Sequence, residues 1–332
     1  MLIAMINLIR QANNIVVISH QNSDIDAVLS CCVTKSLIKR INCQANVNII
    51  TSKISLPARK LLEKLDILGL IHEEDKLPDY DVCFMVDVNN PSHLGPLEHE
   101  IRADKPMIII DHHKPSSKLP SNAVVSIIDD NAVATAEVLC DVMRELGFKP
   151  SRDEALYLLL GILSDSRRLL IGSHKTLIDV AFLVSCGASL SEATSLLYMP
   201  LSYSEKIARL KASQRAVIYN IGQWIIAVSN VGSYEASAAR ALVDLGADLA
   251  AVCNELDEGG SRLCARANEE FVKTTNMHLG EEFEELGKNL MGSGGGHASA
   301  ACVTSPKSCD EVLNAFLRMI SDKLKQPVRK IE

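Results

Sequence analysis

The sequence predicts an α/β fold: a parallel sheet covered on both faces, followed by a second, smaller α/β unit. Three observations predict it. Short apolar runs alternate with helix-length segments along the first half of the chain. Most of those runs are apolar throughout, as expected for strands buried on both faces. The chain is 47% hydrophobic but only 4% aromatic, with a single tryptophan, Trp224, so its cores must rest on aliphatic residues. A length of 332 residues is enough for two such cores.

Residues 2–12 suit a short helix, and IVVIS at 15–19 is a compact strand. The helix that follows starts near Asp24 to Asp26 and runs to Arg40. VNII at 47–50 is the next strand. Pro57 opens a helix through Leu68, in the first turn where proline is tolerated. DVCFMVD at 81–87, PMIIID at 106–111 and VVSIID at 124–129 are further strands. A helical region follows, with ATAEVLCDVMRELG stopped by Gly147 and a strongly apolar helix over 153–165. HKTLIDVAFLVSCG, SEATSLLY and residues 200–214 supply more helices. The second unit starts near Ala216 with two strands around a turn at Asn220 to Gly222. It continues with the helix YEASAARALVDLG and a hairpin turning at Glu258 to Gly260. After the helix EEFEELGKNL, a glycine-rich loop in GSGGGHASAACV runs into a strand, and a terminal helix precedes the ending QPVRKIE, which reads as a frayed, solvated tail.

The net charge of −7 argues against a long basic groove for duplex nucleic acid. A small anionic substrate stays compatible, because bound cations and a few local basic groups reverse the potential inside one cleft. None of the ten cysteines forms a CxxC pair. Those in apolar runs, such as Cys83, Cys140 and Cys302, read as small buried hydrophobes, not as a disulfide scaffold or a zinc knuckle. No apolar run reaches the length of a membrane span and no signal peptide is visible, so the expected location is the cytoplasm.

Acids and histidines stand just after the apolar runs. His20, Asp24 and Asp26 follow IVVIS, and Asp87 follows VCFMV. Asp111, His112 and His113 follow MIII, and Asp165 closes the apolar run 156–165. Each has an ordinary reading alone: Asp24 suits a helix N-cap, and a double histidine suits a polar loop. Together they do not, because carboxylates at the ends of buried segments are costly unless paired or coordinated. In open α/β sheets ligands lie beyond the carboxyl ends of the strands. Carboxylates and imidazoles without thiolates suit manganese, and also cobalt, zinc or magnesium. Two such cations about 4 Å apart can share a carboxylate, activate water and clamp a phosphate.

These motifs resemble the DHH phosphoesterase superfamily, and the resemblance covers nearly the whole chain. DHH at 111–113 is the naming motif, and HQNSDIDA at 20–27 is similar to the family's HxxPDxDA, with Ser23 in place of proline. Asp87 in VDVNNPSHLG and Asp165 in GILSDS fit two further motifs, and NAVATAEVL resembles the segment before the last. GSGGGHASAA at 292–301 resembles the glycine-rich loop of the DHHA1 domain, with Cys302 in place of its final glycine. SRLCARAN at 261–268 is similar to the strand preceding that loop.

The resemblance implies a Rossmann-like catalytic domain over 1–190, a helical linker over 191–214, a DHHA1 substrate-binding domain over 215–325 and a tail over 326–332. It implies two Mn2+ ions, one on His20, Asp24 and Asp87, the other on Asp26, Asp87, His112 and Asp165. Asp87 would bridge and be catalytic, His113 would contact the scissile phosphate or assist the leaving group, and Asp111 would orient the histidines. Arg266, Gly294, Gly295, Gly296 and His297 would bind substrate. The implied partners are short single-stranded RNA or DNA or phosphorylated nucleotides such as pAp, with no membrane and with homodimerisation. A RecJ-like exonuclease, a cyclic-dinucleotide phosphodiesterase and a non-catalytic nucleotide-binding protein are the alternatives. Ser166–Arg167–Arg168–Leu169 stands where short-oligonucleotide members carry TGxF, which leaves the substrate open.

Overall fold

The structure, a computed structural model, describes residues 1–116, 119–198 and 200–331. The chain divides into two compact units, residues 1–199 and 200–332.

The first unit opens with α1 (Leu2–Gln11) and β1 (Asn14–Ile18). Helix α2 (Ile25–Ile41) leads to β2 (Asn46–Thr51), and α3 (Leu56–Lys64) to the short β3 (Ile71–Glu73). Helix α3 ends earlier than the pattern suggests, and Leu68–Leu70 form a 3-10 turn instead. The next three strands are β4 (Val82–Val86), β5 (Met107–Asp111) and β6 (Ala123–Ile128). Four helices follow: α4 (Thr135–Glu145), α5 (Arg152–Asp165), α6 (His174–Ser185) and α7 (Leu190–Leu196). All six strands are parallel, in the order β3-β2-β1-β4-β5-β6. The predicted parallel α/β sheet is therefore present.

Alternate residues of β1, β4 and β5 face opposite cores. Ile15, Val17, Phe84, Val86, Ile108 and Ile110 pack with α2, α4 and α5. Val16, Ile18, Cys83, Met85, Met107 and Ile109 pack with Tyr80, Leu94 and Leu97. Both faces are buried, which is why these strands read as unbroken apolar runs. Fully burying one such side chain contributes roughly 1.5–3 kcal/mol before entropy is counted. Helix α5 is buried along most of its length, and its start is fixed by a capping box between Ser151 and Glu154.

The strand order reverses at β1. The chain moves outward from β1 to β2 and β3, then returns to pair β4 on the other side. The carboxyl ends of β1 and β4 thus form a topological switch point, where ligand crevices open.

The second unit begins with α8 (Tyr203–Arg215), β7 (Val217–Ile221), β8 (Trp224–Asn230) and α9 (Glu235–Asp244). Helix α8 belongs to it: Ser229 Oγ donates to the Ala212 carbonyl at 2.8 Å, and Arg209 Nε to Ser237 Oγ at 2.8 Å. Next come β9 (Leu249–Glu255), β10 (Ser261–Ala267), α10 (Glu269–Thr275) and α11 (Leu279–Asn289). The unit closes with β11 (Ser293–His297), β12 (Ala300–Ser305), α12 (Cys309–Leu324) and β13 (Val328–Lys330). The sheet order is β11-β12-β10-β9-β8-β7-β13, with only β8 and β9 parallel. Helix α9 provides the crossover between those two.

Three expectations for this unit are corrected. The ending does not fray: β13 pairs antiparallel with β7, although its side chains are solvated. Its polar composition conceals a role met by backbone hydrogen bonds. The glycine-rich segment is not a free loop but edge strand β11, in register with β12. Cys302 is not a lone buried hydrophobe: it joins Cys264 directly opposite on β10, and Cys253 joins Cys309. Their sequence separations of 38 and 56 residues carry no local signature, so only the tertiary structure reveals them: sheet register brings Cys302 to Cys264, and the start of α12 brings Cys309 to Cys253 on β9. No single helix among the described residues is long and apolar enough to cross a membrane.

Candidate metal centre

The centre assembles at the carboxyl ends of three neighbouring strands. His20 follows β1, Asp87 follows β4, and Asp111, His112 and His113 close β5. Asp24 and Asp26 enter from the start of α2, and Asp165 from the last residue of α5.

Asp24 does what its helix-start position suggests. Its side chain caps α2 by accepting from the Ala27 N–H at 3.1 Å. It also lies within ligand reach of His20 and Asp87. Asp26, two residues on, is fully buried. Its carboxylate accepts from the backbone N–H of Thr135 at 2.7 Å and of Ala136 at 3.2 Å, and from Ser30 Oγ at 3.2 Å. The free N–H groups at the start of α4 are therefore aimed at it.

Asp87 is the hub. His20 Nε2 lies 3.5 Å from its Oδ2, and His112 Nε2 lies 3.5 Å from its Oδ1. Thr135 Oγ1 donates to Oδ1 at 2.7 Å. Its backbone is left-handed, with φ of 61°, an unfavourable conformation for a non-glycine residue. Strain of about 1–3 kcal/mol held at such a position is typical of functional sites.

Asp111 is buried and saturated by hydrogen bonds. It accepts from the N–H groups of His112 at 2.8 Å and His113 at 3.2 Å, from His113 Nδ1 at 2.8 Å and from Asn89 Nδ2 at 2.5 Å. It fixes the two histidines and is outside the three ligand clusters described below.

His112 supplies the test of fit for a metal. Its Nδ1 stands 3.3 Å from the Ala132 carbonyl, a contact that places the proton on Nδ1. That leaves Nε2 as a lone-pair donor. Nε2 is buried without a hydrogen-bond partner among the described residues, 3.5 Å from Asp87 and 3.7 Å from Asp165. A cation resolves both the orphaned nitrogen and the crowded carboxylates.

Three overlapping groups place ligand atoms within 4.8 Å of one another: His20, Asp24 and Asp87; Asp26, His112 and Asp165; and Asp87, His112 and His113. The oxygen and nitrogen donors suit hard or borderline divalent ions.

Electrostatics agree. Burial, then the charges of Asp87, Asp165 and Asp24, push the Asp26 carboxyl well above its usual range. Burial and the charges of Asp24 and Asp87 push Asp165 up to about 7. For His20, burial opposes the charge, but the hydrogen bond and charge of Asp87 raise it to about 9. The hydrogen bond to Asp111 raises His113, whose ring is 57% exposed. Without a cation the centre must hold protons to offset its own repulsion.

Three supporting residues escaped the sequence reading. Thr135 bridges Asp26 and Asp87. Asn89 ties the loop after β4 to the loop after β5 through Asp111 and the carbonyls of His113 and Lys114. Gly161 sits inside α5 where a Cβ would fall 2.3 Å from Asp26 Oδ1. A glycine inside the most apolar helix of the chain was the available signal for that close approach.

In the second unit, Arg266 on β10 and His297 on β11 both stand opposite Ala300 of β12. They therefore flank one row of the sheet, about 10 Å apart at two strand spacings. Burial, then Arg240, lower the proton affinity of Arg266. Gly294 has a packing reason: a Cβ there would fall 2.0 Å from the Phe283 carbonyl oxygen of α11. Gly295 faces open space.

Residues 14–162 match the DHH family, N-terminal domain. The chain is 30% identical over 323 residues to an uncharacterised protein of Methanocaldococcus jannaschii, covering 96% of each. The chain belongs to the DHH family, and its fold and clustered acids and histidines are those of a phosphoesterase-like hydrolase. Particular relatives follow. The cyclic-di-AMP phosphodiesterase GdpP of Bacillus subtilis is 21% identical over 342 residues, covering 98% of this chain and 50% of that protein. The cyclic-di-AMP phosphodiesterase PdeA of Listeria monocytogenes is 23% identical over 199 residues, covering 56% of this chain and 30% of that protein. This chain thus matches half or less of both enzymes' lengths. An exopolyphosphatase-related protein from Bacteroides fragilis shares the fold, with a TM-score of 0.64 at 15% identity over 97% of this chain and 96% of that one.

Proposed function

We propose that the protein is a manganese-dependent phosphoesterase acting on short oligonucleotides or pAp-like nucleotides. The observation that carries this reading is the buried, unpartnered His112 Nε2 facing Asp87 and Asp165. Its neighbours include a second group, His20 and Asp24, that also meets Asp87. Divalent ions held by His20, Asp24 and Asp87, and by Asp26, Asp87, His112 and Asp165, would supply charge stabilisation and water activation.

The chain's own residues do the rest. Thr135 holds one oxygen of Asp87 and leaves the other toward His20. Asp111 occupies Nδ1 of His113, so His113 presents Nε2 to the cavity. In its protonated form His113 donates from Nε2 to a phosphoryl or leaving-group oxygen. The domain assignment, 1–190 as catalytic and 215–325 as substrate-binding, belongs to the same proposal. So do the anion-binding roles of Arg266, Gly294 to Gly296 and His297.

A second reading is hydrolysis of a cyclic dinucleotide. The similarity to GdpP, which extends over 98% of this chain, favours it. A Mn2+-supplemented panel of pAp, cyclic di-AMP and RNA and DNA of two to about thirty nucleotides decides between them. Turnover of pAp and the shortest strands supports the first reading, and turnover of cyclic di-AMP alone supports the second. Binding without turnover under every divalent ion refutes both.

A further inference from the structure

A cavity of about 620 Å3 opens onto the centre. That volume suits a small-molecule ligand. It is lined from the segments after β1, β4 and β5, and the candidate metal ligands His20, Asp24 and Asp87 account for only part of it. Asn90, Ser92, His93, Lys114 and Ser116 also line it, and none of these five is acidic.

Lys114 stands out among them. Its side chain is exposed and makes no ion pair among the described residues, although Asp24, Asp87 and Asp111 line the same cavity. Its backbone is fixed. Asn89 Nδ2 donates to the Lys114 carbonyl at 3.2 Å and to the His113 carbonyl at 3.3 Å, while Asn89 Oδ1 accepts from the Ser116 N–H at 2.9 Å. A flexible ammonium is thus mounted on an immobilised main chain, one residue beyond His113. The loop that carries His93 is anchored too, since Gln21 N–H donates to the His93 carbonyl at 2.7 Å. The carboxylates beside it are already engaged by other groups, so this ammonium is positioned for an anion that arrives with the substrate.

We infer that Lys114, assisted by His93, binds a second phosphate of the substrate, one the reaction leaves intact. The first unit then selects phosphoesters that carry a phosphate beyond the scissile one. This inference rests on the phosphoesterase reading for its substrate, but not for its binding test.

The experiment compares wild type, Lys114→Ala, Lys114→Arg and Lys114→Glu. Turnover is measured with Mn2+ on adenosine 3′,5′-bisphosphate against adenosine 3′-monophosphate, and on pApA against ApA. The preference in kcat/KM for the doubly charged member of each pair is expected to fall about tenfold in Lys114→Ala, mainly through KM, to fall further in Lys114→Glu and to persist in Lys114→Arg. A shift in one pair only identifies which source of the second phosphate the site takes. An equal loss on both members of both pairs, or unchanged preferences, overturns the inference. In parallel, calorimetry with Ca2+ in place of Mn2+ measures binding of inorganic pyrophosphate. Affinity about tenfold weaker in Lys114→Ala than in wild type supports the inference even if no substrate is turned over, an outcome that would refute the proposed activity alone. Equal affinities, or no binding by wild type, overturn the inference.

Discussion

The two sheets bury apolar residues in the same way but treat charge differently. In the first unit, Asp26, Asp87 and Asp111 are buried around one point, and Glu137, Glu154 and Asp179 are buried in ion-paired or hydrogen-bonded positions. In the second unit the buried polar residues are mainly serines, with Glu235 paired to Arg262, and stability is reinforced by Cys253–Cys309 and Cys264–Cys302. A buried carboxylate costs several kcal/mol unless satisfied. The first unit accepts that cost where its strands end, which is where a cation would return it.

The largest test of this contrast is Asp87→Asn. It removes the charge at the hub while preserving shape, and kcat is expected to fall by at least about a thousandfold, in the range seen when a transition-state interaction is removed. A folded variant with wild-type rates under saturating Mn2+ breaks the comparison at its centre.

Reduction of the disulfides addresses the other side. Breaking each pair is expected to destabilise the second unit by about 2–4 kcal/mol. Trp224, the only tryptophan, packs edge-on against Phe271 in that unit, so its fluorescence reports this unfolding. A midpoint indifferent to reductant argues against the pairs.

Metal addition acts on the first unit. At a hundredfold excess over its dissociation constant, Mn2+ contributes about 2.7 kcal/mol, and a chelator removes it. Calorimetric unfolding with and without EDTA measures this. The absence of any shift contradicts the cation reading of His112 and its neighbours.

Gly161→Ala is next. Its Cβ would meet Asp26 Oδ1, so displacement of the carboxylate is expected to cost about 1–3 kcal/mol of stability and to weaken Mn2+ binding. Normal metal affinity in this variant separates the packing role of Gly161 from the site. The smallest effect is removal of residues 328–332. The described part of this segment is an exposed edge strand, and its loss is expected to change stability by no more than about 0.5 kcal/mol in denaturant titrations.

Much of the first unit was legible because a parallel sheet writes itself into sequence. Both faces of β1, β4 and β5 are buried, so each strand is an apolar run, and each run ends where its chemistry begins. His20, Asp87 and His112 could be picked out because a charged group after such a run is locally inconsistent. Thr135, Asn89 and Gly161 were not legible in the same way. A threonine at a helix start and an asparagine in a loop are ordinary locally, and their partners lie 109, 48 and 22 residues away.

The second unit was read less well for a related reason. GGGH suggested a loop because glycine is rare in strands, yet α11 approaches β11 so closely that a side chain at Gly294 has no room. The ending was read as loose because its composition is polar, but edge pairing uses the backbone and is indifferent to composition.

By itself, the sequence determined the class of fold, the order of most elements and the ligand-type residues of the first unit, because burial and periodicity are local properties of the chain. Tertiary structure alone decided which carboxylate is saturated and which imidazole nitrogen is orphaned, which cysteines meet, and that Lys114 lines the cavity without an ion pair among the described residues. Those are relations between residues far apart in the chain, and distance in space is fixed only when the sheets are built.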